Sequence, residues 1–202
     1  MAESNEHIKL PNPRVMGEQS VEMLFKQRRS VRSYEKSPLN LAEVGQLLWS
    51  AQGISDAQGL RTSPSAGALY PLTLYVVAGD VNELSSGIYQ YNPETHSLLK
   101  TVNGDLRKLL QKAAHDQSCV GDGAIIIVFT GIYQRTTRKY GQRGERYVHM
   151  EVGHAGQNLF LQAEALQFGT VVVGAFDDDE VRAVLNLDSD VQPLSLMPVG
   201  RK

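Results

Sequence analysis

Residues 124–132 read AIIIVFTGI, and the first six of them, Ala124 to Phe129, are all apolar. A strand with one wet face alternates apolar and polar residues, so an unbroken run predicts a strand buried on both faces. Such a strand needs a covering layer on each side, which restricts the chain to layered folds built around a central sheet. The same run is far short of the roughly 20 apolar residues that cross a bilayer. The opening MAESNEHIKL is polar and lacks the apolar core of a secretion signal. Together these features predict a cytoplasmic protein without a membrane span.

Further elements follow from periodicity and punctuation. Ser20 is a good helix N-cap, with Val21, Leu24 and Phe25 at helical spacing after it. Asn40 followed by Glu43 resembles a capping box, and Leu41, Val44, Leu47, Leu48 and Ala51 form one apolar face before Gly53 closes the helix. Leu72 to Ala78 reads as a buried strand. Gly87 to Tyr91 and Leu98 to Val102, separated by Asn92-Pro93, read as a hairpin or a pair of antiparallel strands. A helix is expected from Asp105 to Ala113. The longest helix is expected over residues 148–168, with Gly153 and Gly156 allowing close approach to a helix of this chain or of a second copy. Thr170 to Gly174 predicts a short strand, Asp177 the cap of a helix through Leu185, and Leu194 to Val199 a terminal strand. The order ααβββαβααβαβ lacks regular βα alternation, so the class is α+β. Without a repeat or a linker, residues 1–202 read as a single domain.

Charge and cysteine content exclude several functions. Twenty Lys and Arg stand against twenty-two Asp and Glu, which gives a net charge of -2 and no footprint for nucleic acid. Cys119 is the only cysteine, so neither an internal disulfide nor a zinc knuckle is expected. The fingerprints G-x-G-x-x-G, G-x-x-x-x-G-K-[ST] and H-E-x-x-H are missing. Ser65 is not a nucleophile elbow, because Ser63 stands where G-x-S-x-G needs glycine. Glu151 and His154 have the i, i+3 spacing of di-iron bundles. One copy does not make such a site, so the two groups are expected to satisfy each other or nearby backbone, and no metal is expected.

One stretch suits an anion. Arg28, Arg29 and Arg32, with Ser30 and Ser33, fall within six residues at the end of the first helix. Guanidinium forks match phosphate oxygens and a serine hydroxyl adds a neutral donor; the alternative is a solvated basic face. Ser63 to Pro71 is a run of mostly small residues framed by Pro64 and Pro71, which lets backbone approach a flat ligand, as does Val173-Gly174-Ala175. The alternative for both is an ordinary turn. Between Tyr133 and Tyr147, Arg135, Arg138, Lys139, Arg143 and Arg146 make the most basic local stretch. It reads either as a gate attracting an anionic ligand or as a solvated helix face.

The blocks RRSVRSY, LLWSAQGI, RTSPSAGALYPLTLYVV, YVHMEVGHAGQNLFLQAEALQFGTVVVGAF and PLSLMPVGR follow one another over nearly the whole chain. In them the sequence resembles the FMN-dependent nitroreductase superfamily, and within it the subgroup containing the azoline (thiazole and oxazole) dehydrogenases. The resemblance implies an intertwined α+β homodimer whose central, mostly antiparallel mixed sheet is flanked by helices, with FMN bound at the subunit interface. It implies that Arg28, Arg29 and Ser30 bind the FMN phosphate and that Arg32 faces the N1 and O2 edge of the ring. Pro64, Ser65, Ala66 and Ala68 match the segment crossing to the partner's flavin. Val173, Gly174 and Ala175 match the strand end whose backbone meets N5 and O4, and Arg201 lies where the chain returns to the phosphate. Many relatives carry Asn and Gln where Ala68 and Tyr70 stand, and relatives often continue past the position of Lys202.

The activity implied is an FMN-dependent oxidoreductase exchanging hydride between NAD(P)H and an electron-poor small molecule by a ping-pong mechanism. The alternatives are an azoline-type dehydrogenase acting on a peptide-derived heterocycle and a non-catalytic FMN-binding protein. No proton donor is assigned from the sequence.

Overall fold

The structure is a computed structural model and describes residues 7–202. Seven strands, β1 (His7–Lys9), β2 (Leu72–Ala78), β3 (Gly87–Asn92), β4 (Ser97–Asn103), β5 (Ile125–Gly131), β6 (Phe168–Thr170) and β7 (Gln192–Arg201), form one sheet. Its order is β1-β4-β3-β2-β5-β7-β6, and every neighbouring pair of strands is antiparallel. Among the described residues, parallel pairing is confined to two isolated bridges, Ser30 with Thr170 and Leu39 with Val81. The apolar run is β5. It lies inside the sheet between β2 and β7, and all seven of its residues are buried.

The pleat of β5 divides the core in two, because alternate side chains point to opposite faces. Ile125, Ile127 and Phe129 join one cluster with α2 (Leu41–Gln52) and α6 (Arg143–Ala165). Ile126 and Val128 join the other with α3 (Arg107–Ala113), α4 (Ser118–Asp122) and α7 (Asp178–Leu185). The capping box of α2 is present in both directions, with Glu43 N–H donating to Asn40 Oδ1 at 2.9 Å and Asn40 N–H to Glu43 Oε2 at 2.8 Å. Ser20 caps α1 (Val21–Gln27), and Asp177 caps α7.

The expected element order recurs, with β1 added in front and α4 before β5. The long helix begins five residues earlier than its apolar pattern, since its first turn is polar and mostly exposed, and it ends at Ala165. The basic stretch after β5 includes a second helix, α5 (Gln134–Tyr140), in which Thr136 alone is buried. The strand expected through Gly174 stops at Thr170. Val171 and Val172 leave the ladder, and Val173 returns to it in a single bridge to Leu196.

Candidate active site

The chain leaving α1 lies along the edge of β6 and β7. Val31 N–H donates to the Thr170 carbonyl at 2.9 Å, and Glu35 N–H to the Arg201 carbonyl at 3.0 Å. The Tyr34 hydroxyl donates to the Val31 carbonyl at 3.0 Å, and its ring lies so close to β7 that a Cβ on Gly200 would stand 2.7 Å from Tyr34 Cβ. Burial pushes the Tyr34 hydroxyl and the Cys119 thiol above their ordinary ranges, and in both cases the nearby Arg32 charge opposes the shift.

The four arginines of the predicted site behave differently. Arg28 holds its guanidinium 5.0 Å from the Phe160 ring on α6. Arg29 folds back on its own helix end, where Nη1 donates to the carbonyls of Lys26 at 3.0 Å and Arg28 at 2.7 Å. Arg32 is exposed, as is Ser30. Among the described residues, none of Arg28, Arg29 and Arg32 forms an ion pair. Arg201 does: its Nη2 meets Glu43 Oε2 at 3.1 Å and its Nε donates to the Pro38 carbonyl at 3.1 Å. Next to Ser30 in the ladder, the buried Thr170 hydroxyl has no hydrogen-bond partner.

A second group is the loop 61–70, fastened to α2 and α6. Ser63 Oγ donates to the Ala51 carbonyl at 2.8 Å. Asn158 Nδ2 lies within 3.2 Å of three acceptors, the carbonyls of Ser50 and Thr62 and Ser63 Oγ. Ser65 Oγ accepts the Tyr70 N–H at 2.9 Å, and Glu151 Oε1 accepts the Ala66 N–H at 3.0 Å. Between these anchors Gly67, Ala68 and Tyr70 have φ of 64°, 53° and 44°. Two non-glycine residues in the left-handed region within three positions make this a strained segment that its surroundings must hold. Pro64 and Ala68 are exposed at its surface.

The third group is Val173 to Ala175. Val173 is buried and exchanges both backbone hydrogen bonds with Leu196 at 2.9 Å. Gly174 and Ala175 then emerge into solvent, and a Cβ on Gly174 would meet nothing within 4 Å. Gly174 borders a cavity of 460 Å³ shared with Tyr133, His149, Val152 and Phe176. Tyr133 Oη and His149 Nε2 are 2.6 Å apart there.

Helix α6 is common to all three groups: Phe160 meets Arg28, Glu151 meets the loop, and His149 and Val152 line the cavity at Gly174. Within this chain, the 64–68 segment meets neither the arginine cluster nor Gly174 in any hydrogen bond. Sequence reasoning stopped short of two features. Glu151 satisfies backbone rather than His154, as one of the two expected outcomes has it, but the backbone is that of Ala66, 85 residues away. The Tyr140 hydroxyl and Lys139 ammonium lie over Gly67, at 2.7 and 2.9 Å from where its Cβ would be. The signal for this was a glycine in a strained turn, whose covering residue no local pattern reveals.

A seven-stranded antiparallel sheet covered on both faces by helices, with a small-residue loop and an open backbone end along one long helix, makes this an α+β fold. The sequence pattern of the Nitroreductase family matches residues 25–201, and the chain belongs to that family. It is 46% identical over 195 residues, 96% of either chain, to MJ1384 of Methanocaldococcus jannaschii, a protein named as a nitroreductase. It is 27% identical over 173 residues to the microcin B17-processing protein McbC of Escherichia coli, covering 82% of this chain and 64% of McbC. The crystal structure of a protein from Ralstonia eutropha, also named as a nitroreductase, superposes with a TM-score of 0.85 at 26% identity, covering 96% of this chain and 89% of that one.

Proposed function

We propose that the protein is an FMN-dependent oxidoreductase that exchanges hydride between NAD(P)H and an electron-poor small molecule. The observation that carries this reading is the set of guanidiniums of Arg28, Arg29 and Arg32. Among the described residues they lack a carboxylate partner, and Ser30 beside them is exposed. A phosphomonoester supplies the missing anion with several charge-assisted hydrogen bonds. The fit extends to the ring, since the Gly174 backbone emerges bare and no side chain fills the space where its Cβ would stand.

In this reading Arg28, Arg29 and Ser30 hold the phosphate, with Arg201 nearby, although much of its fork already serves Glu43 and Pro38. Arg32 faces the N1 and O2 edge and favours negative charge there. Val173, Gly174 and Ala175 present backbone near N5 and O4. Pro64, Ser65, Ala66 and Ala68 close the site of a second copy. When bound, FMN supplies the hydride chemistry, and the chain supplies placement and electrostatics. The segment from Tyr133 to Tyr147 is the gate, with Lys139 and Tyr140 already over the loop.

The exposed apolar residues of α1 support the homodimer: Val21, Met23 and Phe25 are 48, 44 and 57% accessible, and no residue of that helix is buried. A cytoplasmic setting belongs to the same reading. Among the described residues no helix is long and apolar enough to cross a membrane.

The test is the visible spectrum of the purified protein with flavin counted per chain, then anaerobic addition of NADH and NADPH. A yellow dimer with one FMN per chain that bleaches on addition is expected, with parallel initial-rate plots for donor and acceptor. A colourless protein that takes up no FMN in equilibrium dialysis overturns the reading. A yellow protein that never bleaches is the non-catalytic FMN binder. The likeness to McbC supports a second reading, an azoline-type dehydrogenase, for which oxidation of a peptide-borne azoline is the assay.

A further inference from the structure

A separate cavity of 270 Å³ opens between the start of β2, the end of β3 and α2, and two arginines line it. Arg61 is half-buried, and its guanidinium is set from two sides. It lies 4.4 Å from the centre of the Tyr70 ring, and its Nη1 donates to Oε1 of the buried Gln52 at 2.9 Å. Arg135, from α5, reaches the same place and holds Nη1 3.4 Å from the Tyr70 carbonyl. Glu94 lines the cavity too, but among the described residues neither arginine forms an ion pair.

A partly desolvated cation normally acquires an anion, because its lost hydration must be replaced. Here the partners of Arg61 are neutral, and the charge of Arg135 adds repulsion. Burial holds the Arg61 guanidinium below its ordinary range and Arg135 acts in the same direction, while Tyr70, Tyr91 and the Glu94 carboxylate oppose the shift. Stacking on Tyr70 and the bond to Gln52 fix the fork, so little side-chain entropy remains to be lost when an oxyanion arrives.

We infer that this cavity is an anion-binding subsite, in which Arg61 and Arg135 grip the carboxylate or phosphate group of a small molecule. The subsite shares Arg135 with the proposed gate, but anion binding there does not depend on bound FMN.

The test is calorimetric titration of the whole protein with sodium benzoate and with inorganic phosphate, each with and without excess FMN. Phosphate bound at Arg28 is displaced by FMN, whereas an anion in the Arg61 cavity is not. One FMN-insensitive site per chain is expected for at least one probe. Binding of benzoate alone marks the natural group as a carboxylate, and binding of phosphate alone as a phosphate. Arg61→Gln and Arg135→Gln should each weaken that site about tenfold, and Arg61→Lys nearly as much, because an ammonium keeps the charge but loses the fork. Lys112→Gln, an equal loss of charge at an exposed position on α3, should leave it unchanged. Arg135 is exposed, so its variant keeps the fold even if Arg61→Gln does not. The proposal fails if neither probe binds the wild type in an FMN-insensitive manner. It also fails if Arg135→Gln binds as tightly as the wild type, or if Lys112→Gln weakens binding as much as Arg135→Gln.

Discussion

The carboxylate of Glu151, 3% accessible on the long helix, accepts the backbone N–H of Ala66 at 3.0 Å. One buried side chain thereby ties α6 to the strained loop 64–70. Burial raises the Glu151 pKa above the ordinary carboxylate value of 4.5, while the bonds from Ala66 and Ser65 pull it back down. A carboxyl with a raised folded-state pKa binds more protons in the folded state than in the unfolded one just above pH 4.5. Stability therefore falls as pH rises through that window. Glu151→Gln should remove this slope while Oε1 still accepts the Ala66 N–H, so little stability is lost at pH 7. Glu151→Ala leaves a part-buried donor unpaired and should cost about 1 kcal/mol, the low end for such a loss. Urea midpoints of the three proteins at pH 5 and pH 7 check both outcomes.

Arg201 and Glu43 form a partly buried pair in which Glu43 also completes the N-cap of α2. Arg201→Met and Glu43→Gln should each destabilise the fold, and the double variant should lose less than the sum of the two. A coupling of about 1 kcal/mol is expected, at the upper end for a pair this accessible. A coupling near zero means that the guanidinium is free for another partner in solution.

His96 ties the N-terminal segment to the hairpin of β3 and β4. A carbonyl only accepts, so Nε2, 3.0 Å from the Pro11 carbonyl, carries the proton, and Nδ1 accepts from the Tyr91 hydroxyl at 2.9 Å. Burial lowers the His96 pKa below 6.5. The unfolded chain then binds more protons between that lowered value and 6.5, so the contribution of neutral His96 is intact above pH 6.5 and is lost as pH falls below it. His96→Gln should flatten the stability profile between pH 6.5 and pH 5, followed by fluorescence of Trp49, the only tryptophan.

What was legible in the sequence is local. Asn40 with Glu43, Ser20 and Asp177 announce helix starts because a short polar side chain closes on a backbone N–H three residues away. The alternation of Ile125 to Phe129 between two cores is legible because both faces must be apolar. Helix α5 is legible only as a basic, solvated face without bounds, since a helix that buries only Thr136 has no apolar stripe to display. The end of β6 is not legible, because departure from the ladder depends on how Leu196 pairs across the sheet. The arginine cluster stands out by composition, but the fold alone shows that Arg29 closes its own helix and that Arg201 faces Glu43.

Gly67 bears on whether the basic stretch acts as a gate. Its φ of 64° costs an L-residue about 1–2 kcal/mol, and a Cβ there would stand 2.7 Å from the Tyr140 hydroxyl and 2.9 Å from Lys139 Nζ. Both atoms are ends of flexible side chains, so they yield more readily than the backbone, and the left-handed conformation sets most of the cost. Gly67→Ala should lower stability by about 1 kcal/mol, because the alanine also removes some conformational freedom from the unfolded chain. The methyl displaces Lys139 and Tyr140 from the loop without touching Arg28, Ser30 or Gly174. Because Gly67 lies between Ala66 and Ala68 of the proposed FMN segment, acceptor kcat/KM is expressed per bound FMN, and on that basis it should fall several-fold. Unchanged kcat/KM with the expected loss of stability removes the gate from the mechanism and leaves the stretch as a solvated helix face. Measuring flavin content, Tm and acceptor kinetics on the same preparation separates the two results.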